Sequence, residues 1–151
     1  MAAKRSQRMQ PIVRLAGNRE EQAAQSLARA QQHLAEQEAK LENLADYRGE
    51  YRQQVVGAGS QGLNGRQVRG FQGFLNQLDQ AVEGQRQVIE RARLEVEERR
   101  RIWLAARVEC QRMDLVIERF ESEELRVVAR REQKETDEYA SRPRKGPPGR
   151  R

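Results

Sequence analysis

The segment GAGSQGLNG, residues 57–65, places four glycines between two long segments that are rich in helix-forming residues. From Ile12 to Tyr139 the chain has no proline, and alanine, glutamine, glutamate, arginine and leucine are abundant on both sides of the glycines. This composition is typical of long helices. Glycine adopts positive φ angles without a steric penalty, and a tight reversal of direction requires such angles. The segment therefore predicts a turn that joins two helices.

The first six residues of this segment, GAGSQG, fit the GxGxxG pattern of dinucleotide-binding loops. That pattern indicates a nucleotide site only where a β-strand precedes the glycines and a βαβ unit surrounds them. Here a helical pattern precedes them, and no β-branched run lies nearby. A Walker loop is excluded because Leu63 and Asn64 follow Gly62 where Lys and Ser or Thr are required. We interpret the glycines as a hinge and expect no cofactor.

Apolar residues recur at steps of three and four in both flanking segments, starting at Val13 in the first and at Phe71 in the second. Such a seam predicts a coiled coil. The most regular row repeats at every seventh position and consists of Leu75, Val82, Ile89, Val96, Trp103, Cys110 and Ile117. A strict seven-residue period predicts a left-handed supercoil. The fold class is therefore all-α, a two-helix antiparallel coiled-coil hairpin with a longer second helix.

Local signals give the ends of the predicted helices. Pro11 suits the first turn of a helix, where its missing N–H costs no hydrogen bond. Asn64 and Gln67 resemble a capping box for the second helix, and Ser141 stands before Arg142-Pro143, which disfavours helical geometry. The predicted segments are a basic N-terminal segment 1–10, a hairpin 11–140 with helix 11–56, a glycine-rich turn 57–65 and helix 66–140, and a basic disordered tail 141–151.

Most of the excess positive charge lies at the two ends of the chain. The 151 residues carry a net charge of +6, from 29 Lys and Arg and 23 Asp and Glu. Eight basic residues lie in 1–8 and 142–151, which leaves 21 basic and 23 acidic residues between them. This nearly neutral centre favours a solvated basic tail over a nucleic-acid-binding surface. A weak contact of the tail with an acidic lipid or protein surface is the alternative.

No group of residues indicates an enzyme or a metal site. His33 is the only histidine, and Cys110, the only cysteine, occupies a seam position where it acts as a small hydrophobe. A single cysteine forms no internal disulfide, which is consistent with a reducing cytosol. No apolar run reaches the ~18 residues of a membrane span. The basic N-terminus is not followed by the apolar h-region of a secretory signal peptide. We expect a soluble cytosolic protein without catalytic activity or a small-molecule ligand.

The second helix is expected to extend beyond the first. If the chain reverses near residue 61, Val13 lies opposite Cys110, and residues beyond Met113 have no partner on the first helix. This unpaired part keeps an apolar stripe that consists of Leu115, Val116, Ile117, Phe120, Leu125, Val127 and Val128. Exposed apolar area is unfavourable in water, so such a stripe is typical of a binding surface. Fraying or self-association is the alternative.

A second apolar surface is expected near the turn. Leu44, Tyr47 and Tyr51 share one face of the first helix because their spacing is i, i+3 and i+7. The antiparallel register places them opposite a matching stripe of Phe74, Leu78 and Ala81. These side chains form either a docking patch or a thicker core close to the turn.

The residues on both sides of the turn resemble a known family. LADYRGEYR at 44–52 and FQGFLNQLDQAV at 71–82 are similar to the FliJ family of flagellar type III export proteins. Chain length, the hairpin arrangement and the basic, proline-containing C-terminus resemble this family too. The resemblance implies a protein similar to the central stalk of rotary ATPases, which performs no chemistry of its own.

The resemblance also implies partners and contact residues. The end that carries the termini would enter the hexameric flagellar export ATPase through Met113, Ile117, Phe120 and Val127. The part near the turn would contact the cytoplasmic domain of the membrane export-gate protein through Leu44, Tyr47, Tyr51, Phe74, Leu78 and Ala81. Export chaperones would bind as well. The protein would act as a monomer at the cytoplasmic face of the inner membrane, at the flagellar base.

Two alternatives share parts of this pattern. Injectisome type III secretion stalk proteins have the same hairpin, and only the tyrosine-bearing stretch 44–52 favours the flagellar system. A basic coiled-coil nucleic-acid-binding protein would instead bind with an affinity that falls steeply with salt concentration.

Overall fold

The fold is that of two long α-helices in an antiparallel hairpin. A computed structural model describes residues 3–143, 146 and 149. Helix α1 spans Arg5–Gly59 and helix α2 spans Gly65–Ser141, and no strand occurs among the described residues. The predicted fold class is confirmed. Within the residues that the structure describes, neither helix contains an apolar stretch of the length that a membrane span requires.

The connection between the helices is a short turn built on one left-handed glycine. Gly62 has a φ of 88°, and no other described residue has a positive φ. The predicted capping box is present: the Gln67 N–H donates to Asn64 Oδ1 at 2.9 Å, and the Asn64 N–H donates to Gln67 Oε1 at 3.2 Å. These two bonds satisfy N–H groups that the first turn of α2 would otherwise leave without partners.

Helix α1 begins at Arg5, ahead of the predicted start at residue 11, and Pro11 lies inside it. The prediction of a separate segment 1–10 was wrong because contacts with α2, distant in sequence, hold the extra helical residues. The Ser6 side chain and N–H both bind Glu124. It follows that the stretch 113–120 has α1 beside it, and the unpaired part of α2 starts later than predicted.

At the C-terminus, α2 ends at Ser141, close to the predicted boundary. The Ser141 hydroxyl donates to the Glu138 carbonyl at 3.0 Å, which satisfies one of the last carbonyls of the helix. Residues 144, 145, 147, 148, 150 and 151 of the predicted disordered tail lie outside the described residues, as do residues 1 and 2.

The chain divides into two compact units. One unit contains Arg19–Ala106, and the other contains Met1–Asn18 together with Arg107–Arg151. In the first, the most buried apolar side chains come mainly from the predicted heptad seam: Leu27, Leu78, Val82, Ile89, Ala92 and Val96. Among the described residues of the second, the buried side chains are Ser6, Ala16 and Ile117. Both cores are narrow, as expected where only two helices pack together.

A polar pair interrupts the apolar seam of the unit 19–106. Gln37 is buried, and the Gln85 side-chain amide donates to the Gln37 carbonyl at 2.9 Å and to its Oε1 at 3.0 Å. Further along, the Trp103 indole N–H donates to Glu20 Oε1 at 3.2 Å. A buried polar side chain favours the register in which its hydrogen bonds are made. These pairs fit the antiparallel register expected from a reversal near residue 61.

Candidate functional site

Four aromatic rings cluster near the turn. The Tyr51 ring lies 4.6 Å from the Phe74 ring and 5.9 Å from the Phe71 ring, and the Tyr47 ring lies 6.3 Å from Phe74. All three pairs are edge-on, the geometry that aromatic quadrupoles favour. Helical spacing brings Tyr47 and Tyr51 to one face of α1, and the antiparallel register supplies the phenylalanines. The cluster therefore depends on both helices.

The predicted docking residues divide into a surface group and a buried one. Tyr47 is 50% exposed, Ala81 is exposed, and Leu44, Tyr51 and Phe74 are half-buried. Leu78 is only 7% exposed and belongs to the core. We call the set Leu44, Tyr47, Tyr51, Phe74 and Ala81 the aromatic tip patch. The side chains of this patch are accessible at the surface, whereas Leu78 is buried.

Three residues of this region, Phe71, Arg48 and Asp79, were not among the predicted site residues. Phe71 touches Tyr51, and its position three residues before Phe74 on α2 is the sequence signal that could have identified it. Arg48 and Asp79 form an ion pair between the helices, with 2.7 Å between Nε and Oδ1. Both side chains are partly exposed, so the pair adds at most about 1 kcal/mol to stability.

A second apolar surface lies in the other unit, where the start of α1 meets α2. It is a groove of about 380 Å³, which we call the terminal groove, lined by Lys4, Arg5, Phe120, Glu123, Glu124, Val127, Val128 and Arg131. The Arg5 guanidinium carbon lies 5.9 Å from the centre of the Phe120 ring, within reach of a cation–π contact. Val127 and Val128 are 53% and 44% exposed. The groove thus combines an apolar floor with charges of both signs.

The four residues predicted to contact an ATPase ring do not share one environment. Phe120 and Val127 line the terminal groove, whereas Ile117 is buried and Met113 is half-buried. Ile117 therefore stabilises the helix pair and is not available to a partner. Leu115 and Leu125 are 65% and 71% exposed, so the apolar side chains of this part of α2 extend beyond the groove.

Glu124 is the carboxylate of the terminal groove that binds the start of α1. Its Oε2 accepts a hydrogen bond from the Ser6 hydroxyl at 2.7 Å, and its Oε1 accepts one from the Ser6 N–H at 3.1 Å. These two bonds, the hydroxyl bond first, lower the pKa of Glu124 from its ordinary value of 4.5. The charge of Lys4 acts in the same direction, and partial desolvation opposes it. The carboxylate also interacts favourably with the N-terminus of α1.

Protonation of Glu124 is expected to remove the stabilisation that this contact provides. Because the pKa is lower in the folded than in the unfolded chain, the unfolded chain binds more protons between the two values, and stability falls as pH decreases. The contribution is fully present above 4.5 and is lost below the lowered pKa of the folded state. We expect Glu124→Gln, which resembles the protonated acid, to lower the free energy of unfolding at neutral pH but not in strong acid.

Urea denaturation of the wild type and of Glu124→Gln, each at neutral pH and in strong acid, measures this difference in the free energy of unfolding. Glu118→Gln, which alters an exposed carboxylate on the same helix, is the matched control and should leave the free energy of unfolding near the wild-type value. If Glu124→Gln lowered the free energy of unfolding equally at both pH values, the expected dependence of stability on the protonation of Glu124 would be contradicted.

No group of three or more His, Cys, Asp or Glu side chains that could hold a metal ion occurs in the part of the chain that the structure describes. The candidate site consists of the two apolar surfaces, the aromatic tip patch in the unit 19–106 and the terminal groove in the other unit. Both are suited to binding protein segments, because each presents exposed apolar side chains with charged residues nearby.

Comparison with known proteins gives one family. A family model described as "Flagellar FliJ protein" matches residues 5–144, a range that includes both helices and both candidate surfaces. Neither the curated proteins nor the solved structures give a match.

Proposed function

The chain belongs to the FliJ family of flagellar proteins and is a component of flagellar type III export, and from this premise we propose that it links the export ATPase to the membrane export gate as a stalk-like coiled coil. The terminal groove binds the hexameric export ATPase. The aromatic tip patch binds the cytoplasmic domain of the export-gate protein. The protein acts as a monomer at the cytoplasmic face of the inner membrane, at the flagellar base, and binds export chaperones.

The observation that supports a linking role is the presence of one exposed apolar surface in each of the two units. Tyr47 in the unit 19–106 and Val127 in the other unit are each half-exposed, and large apolar side chains surround both. A hairpin that bound one partner would need only one such surface. Two separate surfaces allow two proteins to be bound at the same time, which a linker requires.

The mechanism requires no chemical step. A protein that couples two partners acts through differences in binding free energy: it must bind some conformations of the ATPase ring more tightly than others. The apolar floor of the terminal groove provides affinity, and the α2 charges around it, Glu123, Glu124 and Arg131, select partner sites of opposite charge. Within each unit, the close packing of the two helices resists deformation, so a displacement is passed along the packed side chains.

Co-purification tests this proposal. The full-length chain, tagged at the C-terminus, should retain the export ATPase and, separately, the cytoplasmic domain of the export-gate protein from the same cell. Deletion of the gene should abolish motility and secretion of filament protein, while secretion by an injectisome in the same cell should continue. Normal filament secretion after deletion, or a preparation that contains neither partner, would contradict the proposal.

A further inference from the structure

We propose that residues 5–10 of α1 form a latch that is hinged at Pro11. In the closed state the latch contacts Phe120 and Glu124, and in the open state it separates from α2 and uncovers them. The opening is a property of this chain alone. Its consequence for partner binding rests on the proposed function, because the surface that the latch covers is part of the terminal groove.

The hinge follows from the position of Pro11 inside α1. Proline has no N–H, so the hydrogen bond to the carbonyl of Gln7 cannot form, and the ring crowds that carbonyl. Residues 5–10 are therefore joined to the rest of α1 by an incomplete set of helical hydrogen bonds. Sharp changes of direction in helices occur mainly at such prolines. The helix is therefore weakest at Pro11, where residues 5–10 join the rest of α1.

The latch is held by few contacts. Of residues 5–10, Ser6 is buried at 7% exposure and Met9 is half-buried, while Arg5, Gln7, Arg8 and Gln10 are exposed. Such a segment buries little apolar area, and an isolated helix of this length is unstable in water. Its closed position depends on the two Ser6–Glu124 hydrogen bonds and on Arg5 above Phe120. Segments held in this way open without global unfolding.

Opening changes what the terminal groove offers to a partner. The Glu124 carboxylate loses both of its Ser6 donors, and the Phe120 ring loses the guanidinium that covers it. A protein segment that carries a basic side chain next to an apolar one would replace both contacts. The export ATPase therefore competes with the latch for this surface. Its apparent affinity equals its affinity for the open state multiplied by the fraction of the protein that is open. The latch is an autoinhibitory contact.

Amide hydrogen exchange of the full-length chain tests the latch itself. We expect the amides of residues 8–10 to exchange faster than those of the seam residues 82–96 in the wild type. Ser6→Ala should increase their exchange rate about tenfold, because it removes a hydrogen bond to a charged group. Alanine has the higher helix propensity, so a loss of local helicity would not explain faster exchange. Ser26→Ala, also on α1, is the control and should leave these amides unchanged.

A second variant tests the hinge. Pro11→Ala restores the missing N–H and should slow the exchange of residues 8–10 about tenfold or more. The latch is overturned if these amides are as protected as residues 82–96 in the wild type, or if Ser6→Ala leaves their rate unchanged. An unchanged rate in Pro11→Ala overturns the hinge.

Affinity for the purified export ATPase tests the regulatory consequence. Because exchange and apparent affinity both scale with the open fraction, Ser6→Ala should bind about tenfold more tightly than the wild type, and Pro11→Ala about tenfold more weakly. Equal affinities of all three proteins would overturn autoinhibition. If none of them binds the ATPase, the proposed function is wrong, and the exchange rates still decide whether the latch exists.

Discussion

Ile89→Ala is expected to lower the free energy of unfolding by about 2–5 kcal/mol. Ile89 is only 4% exposed and lies in the heptad row between Val82 and Val96, which are 5% and 7% exposed. The variant removes apolar area from a core that only two helices enclose, so few neighbours are available to fill the cavity. The higher helix propensity of alanine offsets only a small part of this loss.

Urea denaturation followed by circular dichroism at 222 nm measures the effect. Leu94→Ala is the matched control, because Leu94 lies on the same helix and is 56% exposed. Its free energy of unfolding should differ from that of the wild type by about 0.5 kcal/mol or less. Equal losses in the two variants would show that the seam is not the main source of stability.

Much of the fold could be predicted because its determinants are local or periodic. The heptad row identified Val82, Ile89, Val96 and Ile117 as core residues, and all four are buried. The side chains of such a row must face the same partner in a supercoil, whatever their detailed contacts. The turn was predictable for a similar reason, since a glycine at positive φ and a capping box each depend on only a few consecutive residues.

The start of α1 could not be predicted from local signals. A proline followed by a long helical pattern indicates the first turn of a helix, yet here Pro11 lies inside α1. The contact that stabilises the preceding residues joins Ser6 and Glu124, which are far apart in the sequence. Only the register of the folded pair brings them together. The unpaired part of α2 was placed too early for the same reason.

The apolar stretches of the two helices were predicted more accurately than the side chains that remain exposed in them. Leu78 and Ile117 were predicted as contact residues, yet both are buried. Residues that face the partner helix and residues that flank the seam differ by only one step of 100° on a helical wheel, and the supercoil shifts this boundary along the chain. A sequence pattern therefore shows where a helix has a wide apolar face. It does not show which side chains of that face remain exposed, because that depends on how the two helices pack.

The double variant Tyr47→Ala/Phe74→Ala is expected to weaken binding to the cytoplasmic domain of the export-gate protein about 100-fold. Tyr47 is half-exposed and touches Phe74 edge-on, so the two rings present one continuous apolar face. Aromatic side chains at the centre of an interface each contribute about 2 kcal/mol or more, and coupling between touching rings makes the two losses less than additive. Titration calorimetry with the purified domain measures the change.

Tyr139→Ala is the control for this double variant. Tyr139 is 78% exposed and belongs to the other unit, so its loss removes an exposed aromatic side chain without altering the aromatic tip patch. Gate affinity should stay at the wild-type value, and the helical circular dichroism of all variants should be unchanged. Because Phe120 and Glu124 are intact in the double variant, it should still bind the export ATPase. Gate binding that survives the loss of both rings in a folded protein would show that the aromatic tip patch is not the docking surface.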